Sequence, residues 1–431
     1  MSNRMLRDRP NPAATVKQRT PPGDGAIALS LSSRRILTLC YEHPPLGGGG
    51  GRVARDLAER LGELGFATDF VTMALPTGSG GCSGAAVTLH EVAAPRKSPI
   101  VCSAVEMVPY LARGLIRALR LHRHYRHDVN LSHFILPDGL ICLALRKLEG
   151  LPYLLTAHGS DVPGYNPDRF KLLHRLIQPI WRLVVRNADR IVCPSATVQG
   201  LVRAACPQAR TTVVPNGIDI HRFDPARPKR DRILTVTRMV ERKGVQYLIE
   251  ALAGIEAPFA LHVVGDGPYL PALRTLAAAR GVDAVFHGAL ANDSVELREL
   301  YETSRMFAFV STTENFPLVL LEAMAAGAAI TTTAGTGCAE AVGDCAELVP
   351  PADAIATRTA LVRLMGDPDK CARLGAAARQ RVERLFATDI VVKRYAELVD
   401  AAVRTSGGRV PRRVGHSGPM APAGVVRPVD L

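Results

Sequence analysis

The chain has 431 residues, of which 47% are hydrophobic and 22% are charged, and its formal net charge is +13. This composition is typical of a folded globular protein, but the length exceeds what one typical core accommodates, so two domains are expected. No apolar run reaches the roughly 18 residues that span a bilayer, the N-terminus has no hydrophobic signal core, and the charge indicates an anionic partner such as nucleic acid, acidic lipid or a phosphorylated substrate.

Short strand patterns alternate with helical patterns along the central part of the chain. In the first half, strands are predicted at residues 35–40, 67–73, 87–92, 130–135, 153–157 and 190–193. The pattern restarts at Arg232, where Arg-Ile-Leu-Thr-Val-Thr repeats almost letter for letter the strand that begins at Arg35. This alternation predicts an α/β fold with parallel, doubly wound sheets. The predicted parts are a disordered tail at 1–33, domains at 34–212 and 213–388, a final segment at 389–404 and a second disordered tail at 405–431.

Five glycines, Gly47 to Gly51, separate the first strand from the first helix. A strand–glycine–helix turn brings bare amides to a phosphate or a sugar. The dinucleotide fingerprint does not fit, because Arg52 stands where its last glycine should be and Asp69 lies in the middle of the second strand. A hydride-transfer enzyme is therefore disfavoured, and a plain flexible loop is the alternative interpretation of the glycines.

A histidine and a carboxylate, His158 and Asp161, follow the strand that ends near Ala157. Ligands of parallel α/β sheets bind beyond the carboxyl ends of the strands, so both residues are predicted to lie at a ligand site. A structural histidine is the alternative.

The second domain has two cations at the equivalent position. Arg238 ends its first strand, and Lys243 precedes Gly244 and a predicted helix. Basic groups at this edge stabilise a diphosphate without a metal, although a solvated charge pair balanced by Glu241 is the alternative. Gly265 lies in a Gly-Asp-Gly-Pro turn that allows a flat ligand close to the backbone, or is simply a tight turn.

The segment from Glu314 to Glu322 carries the strongest signal. It follows an apolar strand, and Pro317 is predicted at the first position of a helix. The amides that follow it would point out of the helix N-terminus and form an anion site. A phosphate site flanked by two carboxylates that bind hydroxyl groups matches a nucleotide sugar, whereas the alternative is an ordinary buried helix with acidic ends.

A basic amphipathic helix is predicted between Met107 and His127, a stretch without acidic residues. Its basic face is predicted to contain Arg113, Arg117, Arg120, His124 and His127. Such a helix binds anionic lipid, and a second basic region at 169–190, which includes the one tryptophan, Trp181, favours the same peripheral membrane contact. The alternative is a surface helix whose apolar stripe packs on its own sheet.

Metal and nucleic-acid sites are both disfavoured. The nine cysteines form no Cys-x-x-Cys pair, which is typical of a reducing cytoplasm. The Asp367-Pro-Asp369 segment is predicted as a turn with a helix N-cap, so no metal is assigned. Nucleic acid is not expected as a partner, because aromatic content is only 5% and much of the positive excess lies in the tails.

The motifs of the chain, taken in order, resemble those of the GT-B family of retaining glycosyltransferases often called family 4. They are the glycine-rich turn, His-Gly-x-Asp, Val-Pro-Asn-Gly-Ile-Asp, Arg-x4-Lys-Gly, Gly-Asp-Gly-Pro and Glu-x7-Glu. The resemblance extends from about Arg35 to Val403. It implies two Rossmann-like domains facing a central cleft, an acceptor-side first domain, a nucleotide-sugar-binding second domain and a final helix that returns to the first domain. No cofactor is implied.

The resemblance also implies a role for each site residue. Arg238 and Lys243 would hold the diphosphate, Glu322 the ribose, Glu314 the hydroxyls of the donor sugar, and His158 would lie over that sugar. The remaining implied contacts are the glycines that approach the diphosphate or the acceptor and the residues whose amides bind phosphate and sugar: Gly48, Gly49, Gly50, Phe316, Pro317, Leu318 and Val319. Gly265 is added on the donor side, and Asp161, Arg113 and Arg117 on the acceptor side.

These roles predict a front-face reaction, since no carboxylate has an obvious nucleophile position opposite the leaving group. The departing diphosphate would help to deprotonate the acceptor hydroxyl, and the cations would stabilise its developing charge. The expected substrates are a nucleotide sugar and a glycan, lipid-linked or small-molecule acceptor of cell-envelope polysaccharide or glycolipid synthesis. A nucleotide-sugar epimerase or a phosphorylase of the same shape is the alternative.

Overall fold

The computed structural model describes residues 34–74, 86–96, 102–165 and 171–406. Both predicted tails lie outside the described residues, except that 405 and 406 belong to the last helix.

The first domain contains one sheet in which all paired strands are parallel. Its strands are β1 (Arg35–Leu39), β2 (Ala67–Met73), β3 (Val87–Val92), β4 (Val129–His133), β5 (Tyr153–Thr156), β6 (Arg190–Cys193) and β7 (Thr211–Val213). Its helices are α1 (Gly49–Glu63), α2 (Ala104–Tyr125), α3 (Asp138–Glu149), α4 (Lys171–Asn187) and α5 (Ala196–Ala205). The strand order is β3-β2-β1-β4-β5-β6-β7. The order reverses between β1 and β4, and this is the switch point at which doubly wound sheets bind ligands.

The second domain repeats this plan. Its strands are β8 (Arg230–Val236), β9 (Ala260–Val264), β10 (Ala284–Gly288), β11 (Ser304–Phe309), β12 (Ala329–Thr333) and β13 (Ala346–Val349). Its helices, followed by the last helix of the chain, are α6 (Val245–Leu252), α7 (Leu270–Ala279), α8 (Val295–Thr303), α9 (Leu318–Ala325), α10 (Gly337–Val342), α11 (Ala354–Met365), α12 (Pro368–Leu385) and α13 (Thr388–Ser406). The strand order β10-β9-β8-β11-β12-β13 places the switch point between β8 and β11. The predicted fold class is confirmed.

The last helix packs on the first domain and not on the sheet that precedes it. Val391, Tyr395 and Val399 of α13 share a buried cluster with Ile36 of β1 and other residues of the first sheet. The hydroxyl groups of Tyr395 and Thr156 are 3.1 Å apart and share a hydrogen bond. The apolar face of α13 therefore ties the end of the chain to the first sheet.

The glycine run, predicted as a turn, is mostly helical, because α1 begins at Gly49. A Cβ atom on Gly51 would lie only 2.7 Å from the backbone oxygen of Glu42, so the helix approaches the segment after β1 as closely as only glycine allows. One consequence is that Arg52 stands in the first turn of α1, at the ligand edge of the sheet.

Candidate active site

Lys243 and Glu314, which the sequence separates by 71 residues, form an ion pair at the switch point of the second domain. Lys243 ends the short 3-10 turn after β8, and Glu314 lies in the segment that follows β11. The Ser311 hydroxyl also donates to the Glu314 carboxylate, over 2.9 Å. Their side chains are only 14% and 10% exposed, so this pair places one cation and one carboxylate in a largely desolvated corner.

Gly244 and Gly265 explain why this corner is so compact. Gly244 has a φ of +74°, and a Cβ atom there would lie 2.1 Å from the Val310 oxygen. At Gly265 the φ is +128°, and a Cβ atom would lie 1.8 Å from the Thr237 oxygen. Both glycines let loops pack against strand ends. Arg238, two residues beyond β8, is exposed on the same edge.

The N-terminus of α9 follows Glu314 by four residues, at the same edge of the sheet. Pro317 is extended with a ψ of 128° and is the N-cap, so the helix begins at Leu318, one residue later than predicted. The amides of Leu318 and Val319 belong to the first turn, where an α-helix leaves its N–H groups without an intrahelical partner. The Phe316 carbonyl is already engaged, because it accepts a hydrogen bond of 2.8 Å from the Asn216 side chain.

Glu322 is 2% exposed and holds two partners from different parts of the chain. Arg52 donates to one carboxylate oxygen over 2.8 Å, and the Tyr301 hydroxyl donates to the other over 2.8 Å. Arg52 belongs to the first domain, so the carboxylate predicted to bind ribose is the point at which α1 crosses to the second domain. Sequence reasoning missed this partner, although its position directly after the glycine run was the available signal.

In the first domain, His158 lies beside His133, Phe134 and Gly50. Its Nε2 atom is 3.1 Å from Nδ1 of His133, and its ring centroid is 4.5 Å from that of Phe134. Burial lowers the pKa of His158 to about 4, so the imidazole is neutral near pH 7. A Cβ atom on Gly50 would lie 2.6 Å from the Phe134 ring and 3.2 Å from the His158 ring. Around Gly48 and Gly49, by contrast, there is open space.

Asp161 organises the loop that carries His158. Its carboxylate accepts the backbone N–H of His158 over 2.9 Å and that of Ile135 over 2.6 Å. Burial raises the pKa of Asp161 to about 6, although these hydrogen bonds oppose the shift. Trp181 donates its indole N–H to the Asp161 backbone oxygen over 2.8 Å and is only 1% exposed.

Two contacts beside the cleft also join the domains. The Glu340 carboxylate of α10 accepts the backbone N–H groups of Ala196 and Thr197 over 2.6 and 2.8 Å. It therefore caps the N-terminus of α5 in the other domain, where a negative charge is favoured. Ser195 donates to the Asn315 side chain over 3.1 Å.

One residue of the predicted basic face of α2 is wrong. His127 is 3% exposed and forms a hydrogen bond of 2.9 Å with the buried Asp69 carboxylate, so it lies beyond the helix end and inside the domain. Arg117 extends to His90 at 3.0 Å, and Arg113 donates to the Ala93 backbone oxygen over 2.7 Å.

Trp181, the residue predicted to support membrane contact, is also inside, as its 1% exposure shows. Its ring fills the core because the Asp161 backbone oxygen satisfies its one polar atom. Within the described part of the chain, no helix combines the length and the apolar character needed to cross a bilayer.

Asp367 caps α12 by accepting the Lys370 backbone N–H over 2.7 Å, as predicted for this turn. Across the same described ranges, no three His, Cys, Asp or Glu side chains lie close enough together to hold a metal ion.

Two family descriptions match the chain. "Glycosyl transferases group 1" matches residues 218–381, and "Glycosyltransferase Family 4" matches residues 47–222. The chain is similar to glycogen synthase of Mycobacterium tuberculosis, with 30% identity over 415 residues, covering 88% of this chain and 97% of that protein. It is also 29% identical over 297 residues to a protein of Escherichia coli K12 named as a colanic acid biosynthesis glycosyltransferase, covering 64% of this chain and 71% of that protein.

Solved structures share the two-domain fold. Sucrose-phosphate synthase of Thermosynechococcus elongatus superposes with a TM-score of 0.74 at 21% identity, covering 86% of this chain and 100% of that one. An Anabaena protein in complex with UDP and glucose superposes with a TM-score of 0.68 at 19% identity, covering 85% and 100%. These likenesses establish the fold of the chain.

Proposed function

Since this chain belongs to the group 1, family 4 glycosyltransferases and has the GT-B fold, we propose that it moves a sugar from a nucleoside-diphosphate sugar to an acceptor hydroxyl. The reaction retains the anomeric configuration. The acceptor is a glycan, lipid-linked or small molecule of cell-envelope polysaccharide or glycolipid synthesis. The similarity to a protein named for colanic acid biosynthesis supports this setting, and the Anabaena complex with UDP and glucose supports a nucleotide-linked donor.

The observation that carries this proposal is the Lys243–Glu314 pair beside the N-terminus of α9. An ammonium group and helix amides suit a diphosphate, and the adjacent carboxylate suits the hydroxyl groups of the sugar attached to it. The donor replaces the Lys243–Glu314 contact with contacts of its own: phosphate oxygens bind Lys243, and sugar hydroxyls donate to Glu314. Arg238, on the same edge, adds a second cation.

The chemistry follows from where charge develops. As the bond between sugar and phosphate breaks, positive charge grows at the anomeric carbon and negative charge grows on the departing diphosphate. The departing diphosphate is bound more tightly in the transition state than in the ground state by Lys243, Arg238 and the amides of Leu318 and Val319. The leaving diphosphate takes the proton of the acceptor hydroxyl, and the new bond forms on the face that it leaves.

The test is a donor screen followed by two variants. Nucleoside diphosphates and their sugars are ranked by the rise in melting temperature, which reports ligand binding to the native state. With the best donor, Lys243→Ala and Glu314→Gln should each lower kcat/KM on the order of 100-fold or more. Lys370→Ala is the matched control, because it breaks a Lys–Glu pair with Glu347 of the edge strand β13, in the same domain and outside the proposed site. Unchanged sugar transfer by both variants would show that Lys243 and Glu314 do not have the proposed roles.

Reaction products distinguish the other activities of this fold. A change of the donor's own stereochemistry without an acceptor would identify an epimerase, and release of a sugar phosphate in the presence of inorganic phosphate would identify a phosphorylase. Transfer to a hydroxyl acceptor identifies the proposed activity.

Contact with the inner face of an anionic membrane is a separate proposal. It is supported by the exposed apolar side chains Leu176, Ile180 and Leu183, which recur at helical spacing on α4 and are about half to two-thirds exposed. Exposed arginines of α2 add positive charge to the same domain. Such a surface binds lipid through apolar burial and attraction to anionic headgroups.

Vesicle sedimentation tests this contact. Wild-type protein should bind vesicles rich in anionic lipid and lose binding as salt rises, and Ile180→Ser with Leu183→Ser should weaken binding. Equal sedimentation of wild type and variant, or binding that does not change with salt concentration, would contradict membrane contact through the α4 surface.

A further inference from the structure

His133 and His158 form a pair whose geometry is that of an in-plane hydrogen bond. The two nitrogens are 3.1 Å apart, the ring centroids are 5.3 Å apart, and the ring planes differ by only 25°. His133 ends β4 and is 1% exposed, whereas His158 follows the neighbouring β5. One proton therefore lies between Nδ1 of His133 and Nε2 of His158.

Both rings are neutral near pH 7. Burial lowers the pKa of His133 well below its usual value, with the neighbouring His158 acting in the same direction, and burial lowers the pKa of His158 to about 4. A neutral imidazole carries one N–H donor and one acceptor nitrogen. The shared hydrogen bond therefore couples the two tautomers: either both rings carry their proton on Nδ1, or both carry it on Nε2.

This coupling matters because of where the other nitrogen of His158 lies. A Cβ atom on Gly50 would be 3.2 Å from Nδ1 of His158, so Nδ1 is on the side of the glycine run. Around the neighbouring Gly48 and Gly49 there is open space. A proton on Nδ1 makes this edge of the ring a hydrogen-bond donor, and a proton on Nε2 makes it an acceptor.

The backbone beside the pair is held in an unfavourable conformation. Phe134, directly after His133, has a φ of 66°, which is an outlier for a bulky residue. Its ring packs 4.5 Å from His158 and 4.9 Å from Tyr41, measured between centroids. Strain of this kind persists only where the surroundings impose it, and it is concentrated at functional sites.

We propose that His133 is the positioning residue for His158, because it donates its Nδ1 proton to Nε2 of His158 and so leaves an N–H on Nδ1 facing the glycine run. That N–H is a donor to an oxygen of the sugar diphosphate. This inference rests on the proposed function. A sugar diphosphate presents only acceptor oxygens on its phosphates, and the paired arrangement supplies the matching donor without a charged histidine.

The first test reads the tautomer directly. In enzyme labelled with ¹⁵N-histidine, long-range ¹H–¹⁵N correlation spectra show which ring nitrogen carries the proton, with the His158 signals assigned from His158→Gln. The proposal expects the proton on Nδ1 of His158 in the wild type. A proton on Nε2 overturns it, whatever the enzyme's activity proves to be.

The second test uses variants of His133. Asn places an amide N–H near the position of Nδ1, so His133→Asn should keep kcat within a few-fold of wild type. His133→Leu removes the donor and should lower kcat on the order of 10- to 100-fold while KM for the donor changes little.

His262 provides a matched control. Its Nδ1 lies 2.9 Å from Nε2 of His287, with centroids 5.1 Å apart and planes 29° apart, in the second sheet and outside the proposed site. His262→Leu therefore removes a similar pair without touching the cleft and should leave kcat unchanged.

The outcomes separate the two proposals. Active wild-type enzyme with equal kcat for His133→Leu and His262→Leu overturns the positioning role and leaves the glycosyltransferase assignment standing. An equal loss of kcat in His133→Asn and His133→Leu also overturns it, since the Asn amide N–H would then not substitute for the Nδ1–H donor of His133. Wild-type enzyme that transfers no sugar from any donor refutes the proposed function instead.

Discussion

The ion pair between Arg52 and Glu322 links the two domains, and Arg52→Met is the sharpest test of that link. The two side chains are 9% and 3% exposed, so the substitution leaves a buried carboxylate with the Tyr301 hydroxyl as its remaining described partner. Breaking a buried pair typically costs about 3–5 kcal/mol. Interfaces between domains of one chain generally allow relative motion, which readmits water to buried groups, so we expect the lower end, about 3 kcal/mol.

Urea unfolding followed by fluorescence is a suitable assay, because the chain has a single tryptophan and Trp181 is buried in the first domain. Circular dichroism follows both domains. A double-mutant cycle with Glu322→Gln should give a coupling free energy of about 2–3 kcal/mol. Arg55→Met is the matched control, since Arg55 lies on the same helix and its pair with Asp56 is 37% and 43% exposed; it should cost less than about 1 kcal/mol.

A loss of stability for Arg52→Met no larger than that for Arg55→Met, together with a coupling free energy near zero, would contradict this expectation. The carboxylate would then be hydrated in solution, and Arg52 would not hold the two domains together.

Two further predictions concern the first domain. Gly50→Ala should lower kcat at least about 10-fold, because the new methyl group would lie 2.6 Å from the Phe134 ring, which must shift, and 3.2 Å from the His158 ring that packs against it. Gly200→Ala, in open space on α5, should leave kcat unchanged; equal kcat in both variants would show that the positions of these rings are unimportant. Burial raises the pKa of Asp138 to about 8, above the unfolded value of about 4, so its stabilising contribution is present below pH 4 and is lost as pH rises towards 8. Urea unfolding across this range should show wild type losing stability relative to Asp138→Asn, and parallel curves would contradict a protonated carboxyl group.

The chain's local patterns determined the fold class and the motifs at the strand ends. Alternation of strand and helix patterns gave both sheets, because side-chain periodicity and turn residues act within about ten residues of one another. The same reasoning placed Lys243 and Glu314 at the ligand edge, since carboxyl ends of parallel strands meet at one edge of the sheet. It misplaced details that depend on packing, such as the helical start at Gly49 and the N-cap at Pro317.

Which side chains meet across long stretches of chain depends on how the sheets and the two domains pack. His127 and Trp181 looked like surface residues, but Asp69 and the Asp161 backbone oxygen draw them inside. Arg52 meets Glu322 because the two domains bring α1 and α9 together, and β4 and β5 bring His133 to His158 because they are neighbours in the sheet. Local sequence patterns do not identify such partners. A buried polar group without a hydrogen bond is energetically unfavourable, so it pairs with a complementary group that the fold brings within hydrogen-bond distance, however far away that group is in the sequence.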